Sequence, residues 1–552
     1  MHSSLPALVA SLLAGISWQP VLAQESAPQE AAARKAHSHS AAAQAAFERA
    51  KECVDQKDTA GARAALVEAI EADQEHLPAH DLMLKITSDA ARQARDSAAA
   101  LNSELEKQYE AWSAKYPGSG GIAYGHGALL YSHEDPRAKP FLLLAVAKDP
   151  SLAKVYQMLS IDAERWGDEA SAREFMRMAT QADPKSPDYA FYYANSFLHV
   201  DRARWESASL AVAERFPDSV RGAQALYWLG ERNEDDAKKI KFWEQARTRF
   251  PPEKFSWTSS AMPGLFDAYL RTDPAKAIEL AKAMPEERSR RGGGSGNPWA
   301  AKAKLAADYA RATRLLAEQK FAEAATALDA LELDRRSSNA ERVALLKAAA
   351  KVGIGQPETA YAMLVERLAA TPEDATRTAL LEIGKKLAKT TGQVMDDVWK
   401  KRDATTKPAP AFALGLYTRD AKARLSDYAG KVVLLTFWFP GCGPCRGEFP
   451  HFENVLRKFT GKDVAYLGIN VDRKQDDYVV PFMKGTRYSF TPLKGDGLVE
   501  KPDAYNARGC PTNFLIDQNG RIVYRGFMIH GDNEILLQRM IESLLERPGA
   551  SK

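Results

Sequence analysis

Six prolines are spaced like marks on a ruler between positions 117 and 285 of the 552-residue chain. Pro117, Pro150, Pro184, Pro217, Pro251 and Pro285 follow one another at intervals of 33, 34, 33, 34 and 34 residues. A proline inside a helix removes a hydrogen bond and clashes with the preceding turn, so each of these marks a helix end. From Ala41 to about Arg402 the sequence is alanine-rich, with apolar residues at helical spacing and few β-branched runs. A stop every 33 or 34 residues leaves room for two helices and their turns. A unit that small cannot bury its apolar face alone, so neighbouring units have to stack.

The segment from Ala153 to about Ser186 carries the pattern most fully. Leu159 stands where a large core residue is needed, Ala172 and Ala179 where two helices must approach closely, and Pro184 at the stop. An earlier copy over 44–78 contains Gly61, Ala64, Ala65 and Ala69, and a later one surrounds Ala360 and ends at Pro372. By period and residue pattern, 41–402 resembles tetratricopeptide repeat arrays. The resemblance implies an all-α solenoid whose concave face binds a protein or peptide partner. Arg290 to Gly296 is glycine-rich and predicts a loop near 290–298 between two helical blocks. No Lys-Ser or Lys-Thr follows it, so it is not a phosphate loop.

Charge removes some functions. Lysine and arginine total 75 against 72 acidic residues, a balance of +3, and no basic stripe interleaved with aromatics is present, which argues against a nucleic-acid partner. Leu5 to Trp18 is an apolar run followed by small residues up to Ala23, the layout of a secretory signal peptide over 1–23, although no Lys or Arg precedes the run. The polar 24–40 stretch reads as a flexible leader. The first cysteine is Cys53, so no lipid-modified cysteine follows the cleavage site. No later run is long enough to span a bilayer. The expectation is a protein exported across the cytoplasmic membrane to the periplasm, with no membrane span in the mature chain. Disulfides persist in such a compartment.

Composition changes after a proline-containing linker over 403–410. Within 411–552, Val432–Phe439 and Val464–Val471 are continuous apolar runs, as in strands buried on both faces. Phe514–Asp517 and Arg521–Arg525 flank Asn519-Gly520, a hairpin signal, and Glu534–Leu545 reads as a closing helix. This alternation predicts a compact α/β domain. The first strand runs straight into Cys442-Gly443-Pro444-Cys445 and a helical pattern follows. A cysteine at a helix N-terminus faces free N–H groups and the positive end of the dipole, which favour its thiolate. Cys442, expected to be exposed at the helix end, is therefore the predicted nucleophile. Cys445, one turn on and more buried, is placed to resolve a mixed disulfide.

Around this motif stand Leu425 to Lys431, Phe437-Trp438, Glu448 and Pro450, then Gly509-Cys510-Pro511-Thr512 and Phe514 to Asp517. In order and context, 408–546 resembles the TlpA/ResA-type thioredoxin-fold thiol–disulfide oxidoreductases. The resemblance implies that Pro511 is cis and presents backbone to the substrate, and that Glu448 tunes the thiols from the active-site helix. It further implies protein disulfides as substrates and an extracytoplasmic electron donor, with reduction as the favoured direction. Two positions depart from the family pattern. Gly441 stands where tryptophan is usual, and Cys510 where Val, Ile or Thr is usual. Cys510 could be a third redox thiol or an inert buried one. Cys53, on a predicted helix without a partner in sequence, reads as a buried inert thiol.

Other chemistries fit less well. A peroxiredoxin needs a threonine three residues before its cysteine, and none precedes Cys442 at that distance. Zinc held by Cys442, Cys445, Cys510 and a histidine such as His451 would lack a second Cys-x-x-Cys. No cofactor or metal is expected. The alternative from another class is a tetratricopeptide scaffold whose C-terminal domain is a binding module with a structural disulfide.

Overall fold

The computed structural model describes residues 40–93, 98–284, 298–333, 337–496, 498, 505–507 and 509–547. The signal-peptide and leader segments, apart from Ser40, lie outside the described residues, as does the glycine-rich segment up to Asn297. Among the described residues, twenty α-helices run from Ala41 to Asp403 and are followed by short strands and further helices. The chain divides into two compact units, one ending at Tyr189 and the other beginning at Ala190. The second unit contains both the later helices and the α/β domain.

The proline ruler reads directly onto the helices. Helices end at Lys115, Lys148, Ala182, Arg215 and Arg249, each two residues before a ruler proline; Pro285 lies outside the described residues. The residue before the proline leaves the helical region, as at Asp149 (φ −132°, ψ 93°) and Phe250 (φ −127°, ψ 83°). In the first unit, Ala153–Arg165 and Glu169–Ala182 form one pair. Asp168 caps the second of these by accepting from the Ser171 N–H at 3.0 Å, and Leu159, Ala172 and Ala179 are buried. In the second unit, Val220–Glu231 packs on Asp236–Arg249. A Cβ at Gly230 would come within 2.2 Å of Trp243 Nε1, so only glycine permits that approach. The helical region is thus an array of paired helices.

The α/β domain contains β1 (Lys407–Pro408), β2 (Ala413–Gly415), β3 (Lys422–Arg424), β4 (Val432–Trp438), β5 (Val464–Asn470), β6 (Thr491–Lys494), β7 (Thr512–Ile516) and β8 (Arg521–Arg525). Six of them form one sheet in the order β1-β8-β7-β4-β5-β6, while β2 and β3 pair separately. Central β4 runs parallel to β5 and antiparallel to β7. It is buried along its whole length, as its continuous apolar run requires. Val432, Leu434 and Trp438 pack with Phe449, Phe452, Leu537 and Ile541 of the helices Gly443–Leu456 and Glu534–Leu545. Val433, Leu435 and Phe437 face the opposite side with Leu414, Leu467 and Phe514.

The segment joining the last array helix to this domain is itself part of the sheet. Lys407 and Pro408 pair with Ile522 and Arg521 as an edge strand. Trp399, on the helix Thr391–Asp403, buries in the same cluster as Trp438. Arg402 donates to the carbonyls of Ala369 and Leu368 at 3.0 and 3.1 Å. Asp403 accepts from Arg521 and Arg547 at 3.0 and 2.7 Å. The later array and the α/β domain therefore share packing and ion pairs.

Candidate active site

β4 delivers the chain into Phe439-Pro440-Gly441, and Cys442 is the N-cap of the helix Gly443–Leu456. Pro444 sits in the first turn, where its missing N–H costs nothing. Cys442 and Cys445 are joined as a disulfide with Cα atoms 5.3 Å apart. The Cys445 N–H donates to Cys442 Sγ at 3.2 Å. When the pair is reduced, that N–H and the helix dipole stabilise the thiolate at Cys442.

The expected exposure of Cys442 is not what the structure contains. Its relative exposure is 3%, against 0% for Cys445. The side chain turns inward onto the first helical N–H and belongs to the apolar cluster of Trp438 and Phe449. Gly443 and Pro444 are the exposed members of the motif. The order of burial within the pair is as the sequence implies, with Cys445 the deeper.

Glu448 lies one turn beyond Cys445 on the same helix, 4% exposed. Its two carboxylate oxygens accept from Asn513 Nδ2 at 2.9 Å and from the Ile529 backbone N–H at 2.7 Å. Burial pushes its pKa up to about 7; the bonds from Asn513 and Ile529 and the charge of Arg232 pull the other way. The acid thereby ties the active-site helix to β7, and its midpoint falls in the range useful for proton transfer.

The Cys510–Pro511 peptide is cis and leads into β7. Cys510 packs against the cluster that contains both disulfide cysteines. Burial, and then the charge of Asp472, push its thiol up to about 11, so at neutral pH it is protonated. Cys53 is also a free thiol.

Gln475 is a site residue that the sequence did not signal. It is 1% exposed and accepts from the Gly441 N–H at 2.6 Å, while its amide lies 3.3 Å from Asp472. A Cβ at Gly441 would come within 2.9 Å of Gln475 Oε1 and 3.0 Å of its Nε2. The absent tryptophan wall is thus explained: a glutamine from the segment after β5 occupies that side of the motif. His451 does not join the cysteines; its Nδ1 is 2.7 Å from Glu534 Oε1.

A disulfide capping a helix, a cis-proline whose preceding cysteine packs on the same cluster and a buried acid one turn on, all on a β4-centred mixed sheet, define a thioredoxin-fold thiol–disulfide oxidoreductase domain. A family model described as the AhpC/TSA family matches residues 405–525. Thiol-disulfide oxidoreductase ResA of Bacillus subtilis is 36% identical over 115 residues, which are 21% of this chain and 63% of that relative. ResA of Geobacillus kaustophilus is 33% identical over 143 residues, 26% of this chain and 78% of that relative. The chain belongs to this ResA family through its C-terminal domain. It spans slightly less than two thirds of the length of the first of these relatives. The thioredoxin domain of a thiol-disulfide oxidoreductase from Bacteroides vulgatus is 27% identical, covering 25% of this chain and 96% of that structure, with a TM-score of 0.23.

Proposed function

We propose that this chain is an extracytoplasmic reductase of protein disulfides, in which Cys442 attacks, Cys445 resolves, Glu448 handles the proton and Pro511 presents backbone to the substrate. The Cys442 thiolate attacks one substrate sulfur, forming a mixed disulfide and expelling the other substrate sulfur as a thiolate. The Cys445 thiol then passes its proton toward the Glu448 carboxylate and attacks Cys442 Sγ. The bond to the substrate breaks, the second substrate thiolate leaves, and Cys442–Cys445 is left oxidised. An extracytoplasmic dithiol donor returns the two electrons by the reverse exchange. The helical array recruits a protein partner, and Cys510 is a candidate third redox thiol at the cis-proline.

The observation that carries this reading is the place of Cys442: it caps the active-site helix with the Cys445 N–H on its sulfur. The burial of Cys442 favours the second reading, a scaffold with a structural disulfide. Reduction potential separates the two. Thioredoxin, which carries a redox-active dithiol, lies near about −270 mV, whereas structural disulfides lie below about −300 mV.

Trapping provides the direct test. Full-length protein carrying Cys445→Ala and Cys510→Ser, expressed with its leader in a bacterial host, should retain partners on Cys442 as mixed disulfides. These should be visible on non-reducing gels and lost on Cys442→Ala. Capture of nothing by the folded, exported protein would transfer the argument to the scaffold.

A further inference from the structure

Between the end of β4 at Trp438 and the N-cap Cys442, the chain has three residues in which to leave an extended strand and enter a helix. Part of this turn is settled locally. Pro440 has no N–H, and the Cys442 N–H donates to the Phe439 carbonyl at 2.9 Å. Gly441 is the link with the widest conformational freedom. Its N–H is met from outside the motif, by Gln475 Oε1 at 2.6 Å.

Gln475 is in turn held by the strand that runs beside β4. Val471, just past β5, donates its N–H to the Trp438 carbonyl at 2.9 Å, so the chain after β5 passes alongside the end of β4. Asp472 then caps the short helical turn Arg473–Gln475, and the Gln475 N–H donates to the Asp472 carbonyl at 3.1 Å. Asn470, 1% exposed at the end of β5, braces this turn. Its Nδ2 donates to the Asp472 carbonyl at 3.1 Å and to Asp476 Oδ1 at 2.9 Å. Gln475 Nε2 donates to Asp472 Oδ2 at 3.3 Å. The amide therefore has one orientation. Flipped, its NH2 would meet the Gly441 N–H and its oxygen the Asp472 carboxylate, two repulsive contacts. An unbranched apolar side chain of the same length would fill the space, but it could not accept from Gly441.

We propose that Gln475 is a positioning residue of the redox site, whose bond to the Gly441 N–H fixes the turn that carries the Cys442 sulfur onto the Cys445 N–H. This rests on the exchange reaction proposed above, in which reduced Cys442 is the nucleophile. The Cys445 N–H lies 3.2 Å from Cys442 Sγ. It supports a thiolate there only while Cys442 keeps its place as the N-cap. Freed from Gln475, Gly441 lets the turn sample other conformations, and the thiolate loses part of that support. The titratable groups around the motif are the same with or without the amide. Arg446 and Glu448 share the active-site helix, Cys510 precedes the cis-proline, and Asp472 stands behind the amide. His530 follows Ile529, and the array's His199 sets its ring against His451. Desolvation pushes both of these histidines down to about 4, so they are neutral at working pH.

The test uses reduced full-length protein with Q475M, which fills the space without an acceptor, and with Q475A, which removes the side chain. Alkylation of each cysteine peptide is followed by mass spectrometry against pH and reads the Cys442 thiolate midpoint. Amide hydrogen exchange reads the Gly441 N–H. In both variants that N–H should exchange faster, and the Cys442 midpoint should rise by about half a unit to one unit, a roughly three- to tenfold loss of thiolate below the midpoint. D472N added to Q475M should keep the rise, because its cause is the turn and not the carboxylate left without its amide. A Cys442 midpoint in folded Q475M or Q475A equal to the parent's, or a rise abolished by D472N, would overturn the proposal. A parent that releases no thiol from an aromatic disulfide, with the midpoint still rising in Q475M, would instead remove the exchange reading and leave Gln475's hold on the turn standing.

Discussion

Glu448 connects chemistry and stability through one proton. Its folded midpoint of about 7 stands above the ordinary 4.5, so between those values the folded chain holds a proton that the unfolded chain has released. Stability from this group is therefore full below the lower value and declines as pH rises toward the upper one, by about 3 kcal/mol in total. His199 and His530 act in the opposite sense. Their folded midpoints are lowered from 6.5 to about 4, so their contribution is present above 6.5 and lost as pH falls. The difference between parent and E448Q isolates the acid. In denaturant titrations, E448Q should gain on the parent steadily between pH 5 and pH 8. A parallel pair of curves would mean that Glu448 is already ionised at pH 5. Cys510, with its thiol near about 11, should react with a thiol-directed alkylating agent far more slowly at pH 7 than reduced Cys442, as judged by mass spectrometry of each peptide.

The loop between β4 and the active-site helix depends on a residue far along the chain. Gly441 is open on one side only because Gln475 stands there, bonded to its N–H. G441A should force the amide away and cost about 1–3 kcal/mol, the usual range for overpacking. Q475A should cost the hydrogen bond, whose net worth is about 1 kcal/mol. In the double variant the collision is gone, so its penalty should fall short of the sum by about 1 kcal/mol or more; strict additivity in unfolding experiments would deny the coupling. This pair also shows what the sequence could and could not convey. The departure at Gly441 was visible from the motif, whereas its cause was not, because nothing in the residues around Gln475 indicates which backbone N–H it will meet. β4, β5 and β8 and the helix Glu534–Leu545 were legible because each carries a long apolar run or a clear turn signal. β1, β2, β3 and β6 are two to four residues long and have too few side chains to show a period. The burial of Cys442 was misread, since a helix-cap position says where the backbone is but not which way the sulfur turns.

At the scale of the molecule, the boundary between compact units falls at Tyr189 and Ala190, inside the helical array and well before the α/β domain. Trp399, Arg402 and Asp403 all lie on the C-terminal side of it. A chain trimmed to begin at Pro184 should therefore keep its rate on a small disulfide while losing rate on the protein partners found by trapping. Equal losses on both would mean that the first unit supports the site itself rather than recruitment. The short pairing of Lys407 and Pro408 with β8 has a separate consequence for anyone seeking the α/β domain alone. β1 closes one border of the sheet, and with Pro408 on it that border has no N–H to offer at this position. A fragment starting at Phe412 would leave the backbone groups of Arg521–Arg525 that now face β1 without partners, as a template for a second copy. Self-association of such a fragment into edge-to-edge dimers or larger aggregates would then reflect where the chain was cut, and a start ahead of Lys407 should keep the border sealed.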